Sequence, residues 1–251
     1  MRSDAIVQVP ALVLAAGRST RVASVLGGRS KVLFEIDGET VLERNLRWLA
    51  ASGIRSVWIN LHYQPDAVRA AASDGSRFGL SVSYEYEPEL RGTAGAFRAL
   101  APRLPGTTLV VYGDNVSGFD LRRLLERHWI AGDVATVALF DSKVNANSGI
   151  AGGRAIVEDG RVIDFIEGAD GDCHSSLVNA GVYALEPEIL AYMPATAAPD
   201  FGKDVFPAVL AAKQRLTSHV IEPEGYCFGI DTPASLDRTR ASLELRNGHL
   251  K

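Results

Sequence analysis

The chain has 251 residues, 47% of them hydrophobic and 22% charged, with a formal net charge of −4. That length and apolar share suffice for one large α/β unit with a sizeable core. The charges are scattered, so no basic stripe points to nucleic acid and no acidic tail to disorder, and no run approaches the ~18 apolar residues of a membrane helix.

Residues 11–15 form a short apolar run suited to a strand buried on both faces. It ends in Ala16-Gly17, small residues where the backbone turns and a ligand can approach. Ser19 and Thr20 offer backbone and hydroxyl donors, and Ser19 is placed to cap a following helical turn. Arg18, Arg21 and Lys31 surround the turn with cations. Such an arrangement cradles polyphosphate; an ordinary strand-to-helix turn with solvated arginines is the alternative.

Residues 32–36 read as a short strand closed by the turn pair Asp37-Gly38. Thr40 and Glu43 have capping-box spacing, and Val41, Leu42, Leu46 and Leu49 share one helical face up to Gly53. A strand over 56–61, a helix opened by Pro65 to about 72 and a strand over 80–84 follow. This alternation predicts a parallel sheet with helices on its faces. Small residues from Gly92 to Ala96 open a helix that runs through Phe97 and Leu100. They let a ligand lie against free N–H groups, or they simply soften a helix start.

The apolar strand at 107–111 runs into Tyr112-Gly113-Asp114-Asn115. An aspartate past the end of a buried parallel strand lies where open α/β sheets bind ligands, and a bare carboxylate there suits Mg²⁺. A helix cap is the other reading. A helix over 121–130 and a strand over 134–140 follow. The remainder is richer in strands: a hairpin over 155–163 turning at Asp159-Gly160 and continuing to Glu167, a polar loop over 168–176, and strands over 177–183, 216–221 and 226–230. Thr232-Pro233 opens the last helix.

Several of these stretches together resemble the nucleotidyltransferases that join a nucleoside triphosphate to a sugar 1-phosphate. The family pattern Leu-Ala-x-Gly-x-Gly-Thr-Arg, then Pro-Lys, is met by Leu14, Ala15, Ala16, Gly17, Arg18, Ser19, Thr20 and Arg21, then Ser30 and Lys31. Ser19 replaces a glycine and Ser30 a proline. The resemblance implies that the loop wraps the triphosphate, that Arg21 contacts its phosphates and that Lys31 reaches the reacting phosphate. Glu87 to Ala96 is similar to the element that holds the nucleobase and part of the sugar, implying nucleotide contacts at Glu87, Gly92 and Thr93 and substrate contact at Gly95. Arg91 stands where an apolar residue is usual, which predicts an altered pocket polarity. Gly113-Asp114 resembles the metal-binding Gly-Asp, with Asn115 beside the substrate. Asn179 and Gly181 match an Asn-x-Gly-x-Tyr element that holds sugar hydroxyls, and Glu167 matches a sugar-binding glutamate followed here by Gly168 rather than lysine. For Asn179 a purely structural amide is the alternative.

Many relatives carry Asp-Ile-Gly-Thr-Pro at the last strand, the first aspartate holding the metal. Here the stretch is Gly229-Ile230-Asp231-Thr232-Pro233, with the aspartate two residues later. Two residues apart on a strand means the same face, so Asp231 can still reach the metal; capping the final helix is its other reading. The resemblance thus implies a Rossmann-like three-layer α/β fold with a mainly parallel sheet. It implies one domain over 1–251, with a nucleotide-binding portion over about 1–140 and a sugar-binding and C-terminal portion over about 141–251. Arg21, Lys31 and Asp114 are the expected catalytic groups, and Asp114 and Asp231 the expected Mg²⁺ ligands. NTP, with GTP favoured, and a mannose-, heptose- or cyclitol-type 1-phosphate are the expected substrates. A non-catalytic nucleotide-sugar sensor is the alternative. The chain is expected to lack the acetyltransferase repeat domain of some relatives and to leave room for a homodimer. Cys173 and Cys227 are too few for a disulfide framework, and Gln8 and Pro10 interrupt the N-terminal apolar run, so a cytoplasmic location without a signal peptide is expected. Five dispersed histidines give no zinc spacing.

Overall fold

The computed structural model describes residues 4–19, 26–150, 152–167 and 175–248. A short helix α1 (Asp4–Val7) precedes β1 (Ala11–Leu14), whose first three residues are fully buried. A 3₁₀ turn (Lys31–Leu33) leads to the hairpin β2 (Glu35–Ile36) and β3 (Glu39–Thr40). The strand expected over 32–36 is therefore shorter. Asp37 and Gly38 both take positive φ, as a type I′ turn requires. Then come α2 (Val41–Ala51), β4 (Ser56–Leu61), α3 (Pro65–Ala72), β5 (Ser81–Tyr86) and α4 (Gly92–Leu100). The capping box of α2 is present: Glu43 N donates to Thr40 Oγ1 at 3.2 Å and Thr40 N to Glu43 Oε2 at 2.8 Å.

β6 (Thr108–Tyr112), β7 (Asn115–Gly118), α5 (Leu121–Ala131) and β8 (Ala135–Asp141) follow. The second half contains β9 (Ala146–Asn147), β10 (Arg154–Glu158), β11 (Arg161–Ile166) and β12 (Leu177–Leu185). It ends with a π-type turn (Phe201–Val205), α6 (Phe206–Ala211), β13 (Thr217–Val220), β14 (Tyr226–Gly229) and α7 (Pro233–Gly248).

Among the described residues nine strands form one sheet in the order β10-β11-β13-β8-β12-β6-β1-β4-β5. β6, β1, β4 and β5 are mutually parallel, β12 runs antiparallel to both β6 and β8, and β13 is parallel to β8. Alternate residues of β1 face opposite sides, as the strand period demands. Val13 packs with Leu42, Leu46, Leu49 and Val68 on one side. Leu12 packs with Phe97, Leu100 and Phe206 on the other. The molecule is thus three layers, helix on sheet on helix. A smaller sheet, β7-β14-β9, abuts the C-terminal ends of the parallel strands. Among the described residues no helix is long and apolar enough to cross a membrane.

One buried polar cluster lies away from these strand ends. His128, 1% exposed, places Nδ1 3.0 Å from Thr136 Oγ1 and Nε2 2.9 Å from Glu186 Oε1. Burial lowers the imidazole pKa below its ordinary value, with Glu186 opposing that shift. A depressed histidine pKa stabilises the fold above the unfolded value of about 6.5 and ceases to do so as pH falls through the folded value. In thermal melts, His128→Gln is expected to lower Tm at pH 7.5 by a few degrees, about 1 kcal/mol. It should then lose less Tm than the wild type between pH 7.5 and pH 5.

Candidate active site

β1 ends against three elements that fix the loop after it. Ala15 N donates to Asn60 Oδ1 at 2.7 Å, and Asn60 Nδ2 donates to Glu87 Oε1 at 2.9 Å. Glu87 Oε2 accepts from Arg91 N at 3.0 Å, at the start of α4. Asn60 and Glu87 are 4% and 1% exposed. Glu87 lines the pocket, but both its oxygens already tie β4 to α4. Arg91 turns its guanidinium to Glu85 at 3.3 Å and lines neither cavity described below, so the departure at 91 leaves their walls unaltered.

The two departures in the first motif have backbone reasons. Ser19 has φ +57°, the left-handed region where glycine is the ordinary choice. Its hydroxyl accepts from Lys31 N at 2.8 Å, so it anchors Lys31 rather than capping a helix. Ser30 has φ −63°, the value a proline ring would impose. Its N–H, which proline lacks, donates to Gln64 Oε1 at 2.9 Å, while Gln64 Nε2 and Tyr63 Oη both donate to Gly28 O. Arg18 is exposed, 3.3 Å from His62 Nε2. Thr20, Arg21 and Gly168 lie outside the described residues.

Lys31 Nζ donates to Asp114 Oδ2 at 3.2 Å and to Asp231 Oδ1. Its side chain is 9% exposed, against 35% for Asp114 and 25% for Asp231. Burial alone would lower the ammonium's pKa; the two carboxylates outweigh it and hold the value above the usual one. Lys31 is therefore a fixed positive charge. Asp114 is presented here because Gly113 brings the ends of β1 and β6 together: Gly113 N donates to Leu14 O at 2.9 Å, and a Cβ on Gly113 would come 2.6 Å from that oxygen.

Asp231 lies beside a helix start that its neighbours cap. The start of α7 is capped reciprocally by its neighbours, Ser235 N donating to Thr232 Oγ1 at 3.1 Å and Thr232 N to Ser235 Oγ at 2.9 Å. At position 229 a Cβ would lie 2.7 Å from Ile150 Cγ1, so Ile150 packs where the family's usual aspartate would start.

Two cavities meet at this cluster. The first, about 280 Å³, is walled by Leu14, Ala16, Gly17, Lys31, Glu87 and Thr93 among others. The second, about 180 Å³, is walled by Asn115, Gly152, Glu167, Asn179, Asp200 and Asp231 among others. Tyr112 and Asp114 belong to both. Gly92 and Gly95 serve close packing, since a Cβ on Gly92 would come 2.5 Å from Pro199 O and one on Gly95 3.3 Å from Pro199 Cδ. Thr93 Oγ1 donates to Asp200 Oδ2 at 2.9 Å, tying α4 to the π-type turn.

Asn179 and Gly181 form a bulge in β12. Asn179 Oδ1 accepts from Gly181 N at 2.9 Å and its Nδ2 donates to Tyr183 Oη at 2.7 Å. Gly181 has φ +69°, and a Cβ there would strike the Tyr112 ring at 2.8 Å. Burial, then the Asp200 charge, raises the Glu167 pKa, with Lys203 opposing. Asp200, Tyr112 and Gln64 are site-forming residues to which the motifs gave no site role; Gln64 carries no sequence signal. Among the described residues no cluster of three or more Asp, Glu, His or Cys groups gathers to hold a metal.

A parallel sheet whose strand ends open into one cavity is thus joined to a second, polar cavity through Tyr112 and the Asp114 carboxylate. A nucleotidyl transferase family model matches residues 10–225, and the chain belongs to that family. It is 32% identical to a mannose-1-phosphate guanylyltransferase from Mycobacterium tuberculosis over 205 residues, 81% of this chain and 56% of that protein. It is 27% identical to a UTP–glucose-1-phosphate uridylyltransferase from Synechocystis over 215 residues, 80% of this chain and 55% of that protein. The chain thus spans about half the length of these curated relatives. A crystal structure described as a putative glucose-1-phosphate thymidylyltransferase from Bacillus anthracis shares the fold, with a TM-score of 0.78 at 20% identity over 93% of this chain and 94% of that one.

The division of labour at 231 and 232 is directly testable. Thr232→Ala is expected to destabilise the protein by about 1 kcal/mol through loss of the cap. Asp231→Ala, which removes any capping oxygen while Asp114 still engages Lys31, should stay within about 0.5 kcal/mol of wild type in the helical circular-dichroism melt. Equal destabilisation by the two would return Asp231 to the cap.

Proposed function

We propose that this chain transfers a nucleotidyl group from an NTP to a sugar 1-phosphate, with GTP as the favoured donor. The observation that carries the reading is the Lys31–Asp114–Asp231 cluster at the junction of two cavities. The first cavity suits the nucleotide, since it lies at the C-terminal ends of parallel strands. The second suits the sugar, since its walls are amide, carboxylate and glycine backbone.

A phosphate oxygen of the sugar phosphate attacks the α-phosphorus in line. The new oxygen–phosphorus bond forms as the bond from the α-phosphorus to the bridging oxygen breaks, and pyrophosphate leaves with that electron pair. Such a reaction needs alignment and charge neutralisation more than covalent help. Lys31, held charged, neutralises phosphate oxygens near the reacting centre. Ser19 and the Gln64 clamp fix the backbone from which it extends. Arg21 is proposed as a further phosphate contact.

Mg²⁺ fits the residues present. Asp114 and Asp231 converge on one cation, the Lys31 ammonium, which stands where a divalent ion would be drawn. Two carboxylates with room for phosphate oxygens and water match the preference of that ion. When bound, it would supply charge neutralisation across the phosphates. GTP is favoured by likeness to the guanylyltransferase named above, and the uridylyltransferase relative makes UTP the competing donor. Retention of the full cluster supports catalysis over simple nucleotide-sugar sensing.

Pyrophosphate release with five NTPs against mannose-, heptose-, glucose- and cyclitol-type 1-phosphates tests the reading. Mg²⁺-dependent release, fastest with GTP, is the expected result. Release with no donor would overturn the enzyme reading, and preference for another base would overturn GTP alone. Asp114→Ala is expected to abolish release while the protein stays folded. Lys31→Ala should lower kcat by about 10²–10³-fold with a smaller change in KM for NTP, because charge builds on phosphate oxygens in the transition state.

A further inference from the structure

The apolar face of α2 carries one polar side chain. Val41, Leu42, Leu46 and Leu49 are fully buried there, and Asn45 lies in the same stripe at 1% exposed. An amide in such a place must hydrogen-bond or destabilise the fold. Asn45 Nδ2 donates to Asn115 O at 2.8 Å and to Gly113 O at 3.3 Å. Those two carbonyls bracket Asp114. Both amide protons therefore hold the carbonyls of the residues on either side of Asp114, while Asn45 Oδ1 is buried without a partner among the described residues.

The same contact reaches the second carboxylate. Asn115 pairs with Gly229 in the β7–β14 ladder, and Gly229 lies two residues before Asp231. One side chain on α2 thus fixes the turn that carries Asp114 and the strand partner that leads to Asp231. A solely structural side chain at a fully apolar helix position would be leucine or valine. Retaining an amide whose oxygen is unpaired makes sense where its two donors are needed.

We infer that Asn45 is a positioning residue for the Asp114 and Asp231 carboxylates. The inference rests on the nucleotidyl-transfer reading only for its kinetic consequence. Groups that orient metal-ligating carboxylates typically change affinity or activity by about 10–100-fold when removed.

The test compares Asn45→Leu and Asn45→Asp with Leu46→Val, a mild core change on the same helix face. Mn²⁺ binding is read by electron paramagnetic resonance of free ion, folding by thermal melts, and pyrophosphate release by steady-state kinetics. Both Asn45 variants are expected to weaken Mn²⁺ binding and lower kcat by about 10–100-fold, with KM for NTP changed by less than about threefold. Leu46→Val should lose Tm while keeping Mn²⁺ affinity and kcat within about twofold. If the Asn45 variants lose only what Leu46→Val loses, or fail to fold while Leu46→Val folds, Asn45 is structural and the inference falls. A wild type that binds Mn²⁺ but releases no pyrophosphate overturns the functional reading instead, and the Mn²⁺ comparison still decides the role of Asn45. A wild type that does neither overturns both.

Discussion

A buried ammonium held between two carboxylates is the interaction around which this site is arranged. Taking Lys31 out of water disfavours its charge, and Asp114 and Asp231 restore it. The three residues arrive on unrelated pieces of backbone, and each piece is specially held. Ser19 and Gln64 fix the approach to Lys31, the absent side chain of Gly113 lets Asp114 come forward, and the Thr232–Ser235 cap fixes the helix start beside Asp231. Loss of one carboxylate leaves the other still engaged, but loss of the lysine leaves two like charges facing each other.

Much of the frame could be read from local chemistry. The apolar run at 11–15 placed β1, the 3.6-residue period placed α2, Pro65 marked the start of α3, and Thr40 with Glu43 marked the start of α2 because capping is a short-range event. The Asp159-Gly160 hairpin was legible for the same reason, both residues taking positive φ. What stayed hidden depends on distant partners. Ser19 has the composition of a helix cap, yet its hydroxyl meets Lys31, twelve residues away. Asn45 is visible only as a polar break in an apolar stripe, and its purpose appears once residues 113 and 115 lie above it. The antiparallel insertion of β12 between β6 and β8 has no local signature at all.

Motif residues here do two things at once. Asn179 closes the β12 bulge with its own amide and also lines the second cavity. Gly181 makes space for the Tyr112 ring, which in turn is a wall of both cavities. Structural and ligand-facing readings of such positions are therefore not exclusive, because the bulge shapes the wall. Ile150 against Gly229 is the counterpart: a hydrophobic side chain settles where a charged one is usual, and the charge reappears two positions on.

The spacing of the cluster along the chain also governs when it can exist. Lys31 and Asp231 are separated by 200 residues, and Lys31 and Asp114 by 83. Contacts of such long range close late in folding, after local and mid-range structure has formed. During synthesis, which proceeds from the N-terminus, the cradle and the first carboxylate emerge well before the second. Until β14 and α7 dock, Lys31 has only Asp114 as its partner in the cluster. The cluster is therefore completed in one step rather than gradually, and the docking of β14 and α7 is the step that completes it.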